Sequence, residues 1–241
     1  MKFLNAIIFS LAIIIASYLL GNAYLNRANP DGTISTTGSG NTDFVSDLIV
    51  WEADFVRVNI DLQKAFNDLA RDKGIVRKYI TEKGIAPDQI VFEAVITNEQ
   101  RENQYQNGNF TGTLFTGYEL RQTVKVESKD VEKVELVSRE ITELLNKDVQ
   151  LQSSPPRYYY TKLADLKIEM ISQATADARI RAKKIAENGG GELGSLKSAS
   201  MGVFQITGQN SSEDYSWSGS FNTSDKKKTA SITMRLEYEI D

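Results

Sequence analysis

The chain has neither cysteine nor histidine in its 241 residues. The first absence excludes disulfides, thiol nucleophiles and thiolate metal sites. The second removes the commonest general base near neutral pH and the commonest imidazole ligand. Any catalysis would therefore rest on carboxylates, Lys, Tyr, Ser or Thr, and Ser–His–Asp and Cys–His arrangements are excluded. Positive charge is also scarce. The formal net charge is −4, and it becomes −6 over residues 28–241 because Lys2 and Arg27 lie before them. That sign opposes non-specific binding to nucleic acid, so no nucleic-acid partner is expected. The densest basic run, Lys226-Lys227-Lys228, reads as a solvated loop or a contact to anionic lipid or polymer.

What the chain does have begins at its N-terminus. "FLNAIIFSLAIIIASYLL", Phe3 to Leu20, carries no charge and is mostly apolar. It is near the lower length limit for a bilayer span, and Gly21-Asn22-Ala23 offers the small-x-small pattern of a cleaved leader. Signal peptide and uncleaved membrane anchor both stay open, and both export the remainder of the chain. With no cysteine to acylate, a lipoprotein leader is excluded. The organisation read from the sequence is residues 1–24 as signal or anchor, 25–32 as tether and 33–241 as the folded domain.

Along that domain the apolar period switches between two and about 3.6. Ile49, Trp51, Ala53 and Phe55 line one face of a strand. Leu62, Ala65, Phe66, Leu69, Val76, Tyr79 and Ile80 follow helical spacing up to Lys83-Gly84, with Gly74 interrupting it. "IVFEAVITNEQ" alternates, and "NQYQNGNFTGTLFTGYELRQTVKVES" is the clearest hairpin signal. A second helix carries Val131, Val134, Val137, Ile141, Leu144 and Leu145, with Ser128 as candidate cap. "VQLQSSPPRYYYT" is a strand broken by Pro155-Pro156. Tyr158, Tyr159 and Tyr160 must alternate faces, so core packing competes with a recognition surface. A third helix runs from about Leu163 to Glu187 with Thr161 as candidate cap, and its alanines four apart form a flat ridge. "SLKSASMGVFQIT", a long polar loop and "TASITMRLEYEI" close the chain. The order is that of an α+β fold, an antiparallel or mixed sheet packed against helices, preceded by an N-terminal hydrophobic helix.

"GGGELG", Gly189 to Gly194, fits the letters of a dinucleotide loop, but such a loop must open a helix. Here the glycines follow a long helix, where carbonyls repel phosphate, so they read as a helix stop. Glu52 and Asp54 share one strand face and are weak candidates for a cation site. No cofactor and no catalytic group follow from any motif.

The stretch "MISQATADARIRAKKIAENGGGELGSLKSAS" resembles the end of the SIMPL domain. Ala174, Asp177, Ala178, Arg179, Ala182, Lys183, Ile185, Ala186, Gly190, Leu193 and Gly194 carry the likeness. Arg181-Ala182-Lys183 and one extra glycine depart from it. "TISTTGSGNTDFVSDLIVWEADF" is similar to the family's opening with its glycine-x-glycine strand, and "KGIAPDQI" and "FTGYELRQTVKVES" to later turns and strands. The resemblance implies an export-directed α+β domain of a bacterial envelope, periplasmic or associated with the outer membrane, with self-assembly in some members and no established catalytic residues to carry over. The expectation is a non-enzymatic envelope protein whose partners are copies of itself, an envelope protein or, through the N-terminal segment, the membrane. The alternative is a small-molecule or cation-binding module beside Glu52, Asp54 and the tyrosines.

Overall fold

The computed structural model describes residues 2–28, 32–214 and 216–240. Residues 29–31 of the expected tether lie outside them. The N-terminal segment forms α1 (Lys2–Ala28). Among the described residues no helix is long and apolar enough to cross a membrane, so the anchor reading of Phe3–Leu20 gains no support. Strands β1 (Thr33–Val45) and β2 (Leu48–Asn59) lead into α2 (Leu62–Glu82), then β3 (Ile90–Phe92), β4 (Ile96–Gln106) and β5 (Asn109–Ser128). The chain continues through α3 (Val131–Glu140), β6 (Leu151–Ser153), β7 (Arg157–Tyr159), α4 (Leu163–Asn188), β8 (Leu193–Met201), β9 (Gln205–Gly208) and β10 (Lys227–Ile240). The α+β class is as the sequence implies, but there are two antiparallel sheets where one was expected. "IVFEAVITNEQ" divides into β3 and β4, and "SLKSASMGVFQIT" into β8 and β9.

The chain forms two compact units. The first comprises residues 1–41, 168–204 and 231–241. Its sheet has the order β1-β10-β8. Ile34, Ile232, Met234 and Leu236 face α4, whose Met170, Ala174, Ala178 and Ala182 are buried. The helix comes close enough for backbone to meet backbone. A Cβ on Gly38 would overlap the Ala174 carbonyl oxygen and the Ala178 nitrogen, and one on Gly40 would stand 2.6 Å from the Met170 carbonyl oxygen. Thr36 Oγ1 donates to the Ala178 carbonyl at 2.9 Å, and the Ser39 N–H donates to Asp177 at 2.9 Å. Glycine on the strand and alanine on the helix are thus two halves of one contact.

The second unit comprises residues 42–167 and 205–230. Its sheet runs β3-β5-β2-β6, with β4 on β5 and β7 on β2. Ile49, Trp51, Ala53 and Phe55 face the core as their alternation requires, with Leu69, Val76 and Ile80 of α2 and Val134 and Val137 of α3. Asp72 of α2 is fully buried, and Arg57 of β2 grips it with Nε and Nη2. Two expected caps fall elsewhere. Asp130 caps α3, accepting from Lys133 N–H, while Ser128 Oγ accepts from Asp130 N–H. Thr161 does not cap α4, because its N–H and hydroxyl both bind Asp47 at 2.7 Å. Gly74 leaves α2 continuous.

The run Lys226-Lys227-Lys228 is not a solvated loop. Lys226 pairs with Glu132 at 2.8 Å and Glu135 at 3.3 Å. Lys228 is 2% exposed and donates to the carbonyls of Tyr158 at 2.6 Å and Asn222 at 2.5 Å. Strand alternation turns it inward, and those carbonyls replace water around the ammonium. Burial pushes its pKa down to about 8, against the pull of the Asp225 and Glu213 carboxylates.

Two results test this packing. Gly38→Ala should destabilise the chain by about 3 kcal/mol or more, since overpacking against backbone has no side chain to move aside. Gly74→Ala, with nothing within 4 Å of its added methyl, should stabilise it by roughly 0.5–1 kcal/mol. Chemical denaturation of both variants reads the two signs, and equal effects would contradict the contact. The second result concerns pH. A lysine with a lowered folded pKa adds stability above its ordinary value of 10.5, and that stability is lost as pH falls through about 8. Relative to Lys228→Met, the wild type should gain stability between those two values. A constant difference would contradict the buried ammonium.

Candidate functional site

Glu52 and Asp54 do project from the same outer face of β2, opposite Lys125 and Thr123 of β5. Neither is free to form a carboxylate pair. Arg157 Nη2 donates to Glu52 at 2.7 Å, Thr123 Oγ1 donates to Asp54 at 2.6 Å, and Arg121 lies 3.6 Å from Asp54. No group of three or more acidic side chains suited to a metal ion occurs among the described residues. The tyrosines pack rather than gather at a groove. Tyr158 donates its hydroxyl to Glu135 at 2.9 Å, and burial together with that bond pushes its pKa up to about 12. Tyr160 packs against Phe44 with the rings tilted by 48° and their centroids 4.8 Å apart.

The hairpin holds more than its turn signal suggested. Asn107 and Gly108 have φ of 51° and 82°, the left-handed pair that a two-residue turn matched to strand twist requires. β2 pairs with β5 only from Tyr118 onward, while Asn109 to Gly117 pair with β4 alone. Nine residues of ribbon, ~30 Å at strand rise, therefore run past the end of β2. Two bulges, at Gln100/Arg101 and Gln104/Tyr105, reset which side chains share a face. As a result Tyr105 stands edge-on to Phe110 at 5.9 Å and Phe115 to Tyr118 at 5.0 Å. Tyr118 packs on the core, whereas Tyr105 is 64% and Phe110 59% exposed. The sequence showed the hairpin but not its overhang, which depends on where the neighbouring strand stops.

The residues that carry the family likeness divide by role. Ala174, Ala178, Ala182 and Ala186 are the buried ridge of α4. Asp177 accepts from Arg181 at 3.0 Å and from the Ser39 N–H, and the arginine bond holds its carboxyl below the usual range. Gly190 has φ of 84°. Its N–H donates to the Glu187 carbonyl, and the Gly191 N–H donates to the Ala186 carbonyl at 3.0 Å. This paired closure of a helix end is a Schellman motif, so the glycines do stop α4. They also turn the chain so that Leu193 and Gly194 begin β8 beside the helix. Arg179 and Lys183, one turn apart on α4, face those residues across a groove of about 840 Å³. Thr175 and Glu187 continue its helical wall, Leu196 its strand wall, and Tyr238 of β10 lies among its lining.

Across the described residues, these arrangements give two features with unmet interactions: the aromatic ribbon in the second unit and the groove in the first. No curated protein matches the chain. The SIMPL family, whose description is "Protein of unknown function (DUF541)", matches residues 34–238. The match opens at Ile34, at the start of the β1 strand that carries Gly38 and Gly40, and closes at Tyr238, so it spans both units. The chain belongs to the SIMPL family.

Proposed function

We propose that this chain is an exported cell-envelope protein that works without catalysis, by assembling with copies of itself or docking an envelope partner through the β4–β5 ribbon. The apolar segment Phe3–Leu20, followed by Gly21-Asn22-Ala23, supports export as a leader. Lack of cysteine fits no particular redox compartment, but lack of both cysteine and histidine narrows the chemistry open to an enzyme.

The observation that carries the reading is the overhanging ribbon with Tyr105 and Phe110 in water. A two-stranded ribbon is marginally stable alone, because neither face is covered by other chain. Large exposed aromatics on such a ribbon are typical anchors of an interface. Among the described residues β4 pairs with β5 alone, so its other edge offers main-chain groups to an added strand.

The test is the mass of the full chain in neutral detergent by multi-angle light scattering, with chemical cross-linking in intact cells. The wild type should exceed one chain per particle or cross-link to an envelope protein. Tyr105→Ser with Phe110→Ser should weaken that association by about 30-fold or more, the loss of one hot-spot anchor or better. Its far-UV circular dichroism should stay unchanged. A strictly monomeric wild type with no cross-linked partner would overturn the proposal.

A further inference from the structure

The register of β4 on β5 gives the ribbon two unlike faces. Both bulges leave the extra residue on β5, Thr116 at the first and Thr111 at the second. β4 therefore alternates without interruption, and Thr97, Glu99, Arg101, Asn103 and Tyr105 share one face. Their β5 partners are Leu120, Tyr118, Phe115, Thr113 and Phe110. This face is thus rich in aromatic rings, and its only charges over that span, Glu99 and Arg101, pair with each other at 2.9 Å. The opposite face carries Gln100, Glu102 and Gln104 of β4, and Leu114 is the one large apolar side chain among their β5 partners.

At its base the aromatic face runs into an open groove of about 580 Å³. Leu62, Gln63 and Phe66 of α2 line one side of it, and Val95, Thr97 and Leu120 line the other. None of the six is charged, and Phe66 is 53% exposed. Thr97 and Leu120 belong to the same face as Tyr105 and Phe110, which lie ~27 Å further along the ribbon at strand rise. Tip and groove therefore share a face but stand too far apart to meet within one chain. A two-fold axis through the middle of the ribbon, beside Arg101 and Phe115, sets each tip over the groove of a second copy.

We infer that two copies of the chain pair in this way, aromatic face to aromatic face, with Tyr105 and Phe110 of each copy seated against Leu62, Phe66 and Val95 of the other. The inference rests on the proposed assembly through the ribbon, and it names the partner and the receiving surface. Size decides in favour of a reciprocal pair. Two aromatic rings cover ~400 Å², so one tip in one groove buries ~800 Å² in total, the upper size of a non-specific contact. Two such joints reach ~1,600 Å², the area of a standard stable interface. Charge points the same way. The chain carries a net −4, so copies repel except where they meet without charge, and Asn103 to Tyr118 contains no charged residue.

Photo-cross-linking of the full chain in neutral detergent tests the pairing. p-Benzoylphenylalanine in place of Phe110 keeps a ring at the tip, and peptide mass mapping locates the bond it forms. Illumination should give a two-chain adduct joined to residues 62–66 or 95–97 of the second copy. The same probe at Gln104, on the opposite face, should leave those segments unlabelled. Phe66→Ser should weaken association, read by light scattering on dilution, by about tenfold or more. Added to Tyr105→Ser with Phe110→Ser, it should weaken it by less than about threefold further, because both changes remove one contact. An adduct from the Phe110 position to any other segment, or to another protein, would overturn the groove and leave the ribbon reading standing. Full additivity of the groove and tip variants, or adducts that grow beyond two chains, would overturn the reciprocal pair. A wild type of one chain per particle with no adduct would overturn both.

Discussion

Between α4 and β1 there is no room for a methyl group. Gly38 and Gly40 present bare backbone to the helix at Met170, Ala174 and Ala178, and Thr36 and Ser39 tie the two elements with hydrogen bonds. Close packing of this kind gains dispersion contacts and two long-range hydrogen bonds, and it tolerates neither added volume nor sliding. The location of α4 decides much else in its unit. It fixes where the Gly190 turn releases the chain and therefore where β8 begins. It also leaves the outer strand uncovered and aims Arg179 and Lys183 across open space toward Leu193.

The glycine pair and the alanine ridge account for much of what the sequence resemblance detected. Both are small-residue patterns because backbone approach demands small residues on each side. Family likeness in this region is thus a record of packing. Of the other matched residues, Arg179, Lys183, Leu193 and Gly194 line the groove. The dinucleotide-like letters of "GGGELG" have no part in phosphate binding at a helix N-terminus. They close the C-terminal end of α4.

How far the sequence could be read depends on the range of each interaction. The periodic strand at Ile49–Phe55, the helix of α2, the ridge of α4 and its glycine stop are local, and each was legible. Ser128 and Thr161 carry the right chemistry for caps, but Asp130 stands closer to the helix start and Asp47 captures Thr161 from far along the chain. Lys228 read as solvated because it sits in a basic run. Its burial depends on the carbonyls of Tyr158 and Asn222, which only folding brings together. Glu52 and Asp54 share a face as alternation requires, but their partners come from neighbouring strands that no spacing rule names.

The central claim is that the Gly38/Gly40 contact, rather than general apolar burial, holds α4 in place. Native-state hydrogen exchange on the full chain tests it directly. If the claim holds, backbone amides from Ala174 to Ala182 and the Ser39 amide belong to the slowest-exchanging class, while amides of the overhanging ribbon from Arg101 to Thr116 exchange fast. Exchange of the Ala174–Ala182 amides at the rate of the ribbon would contradict the account.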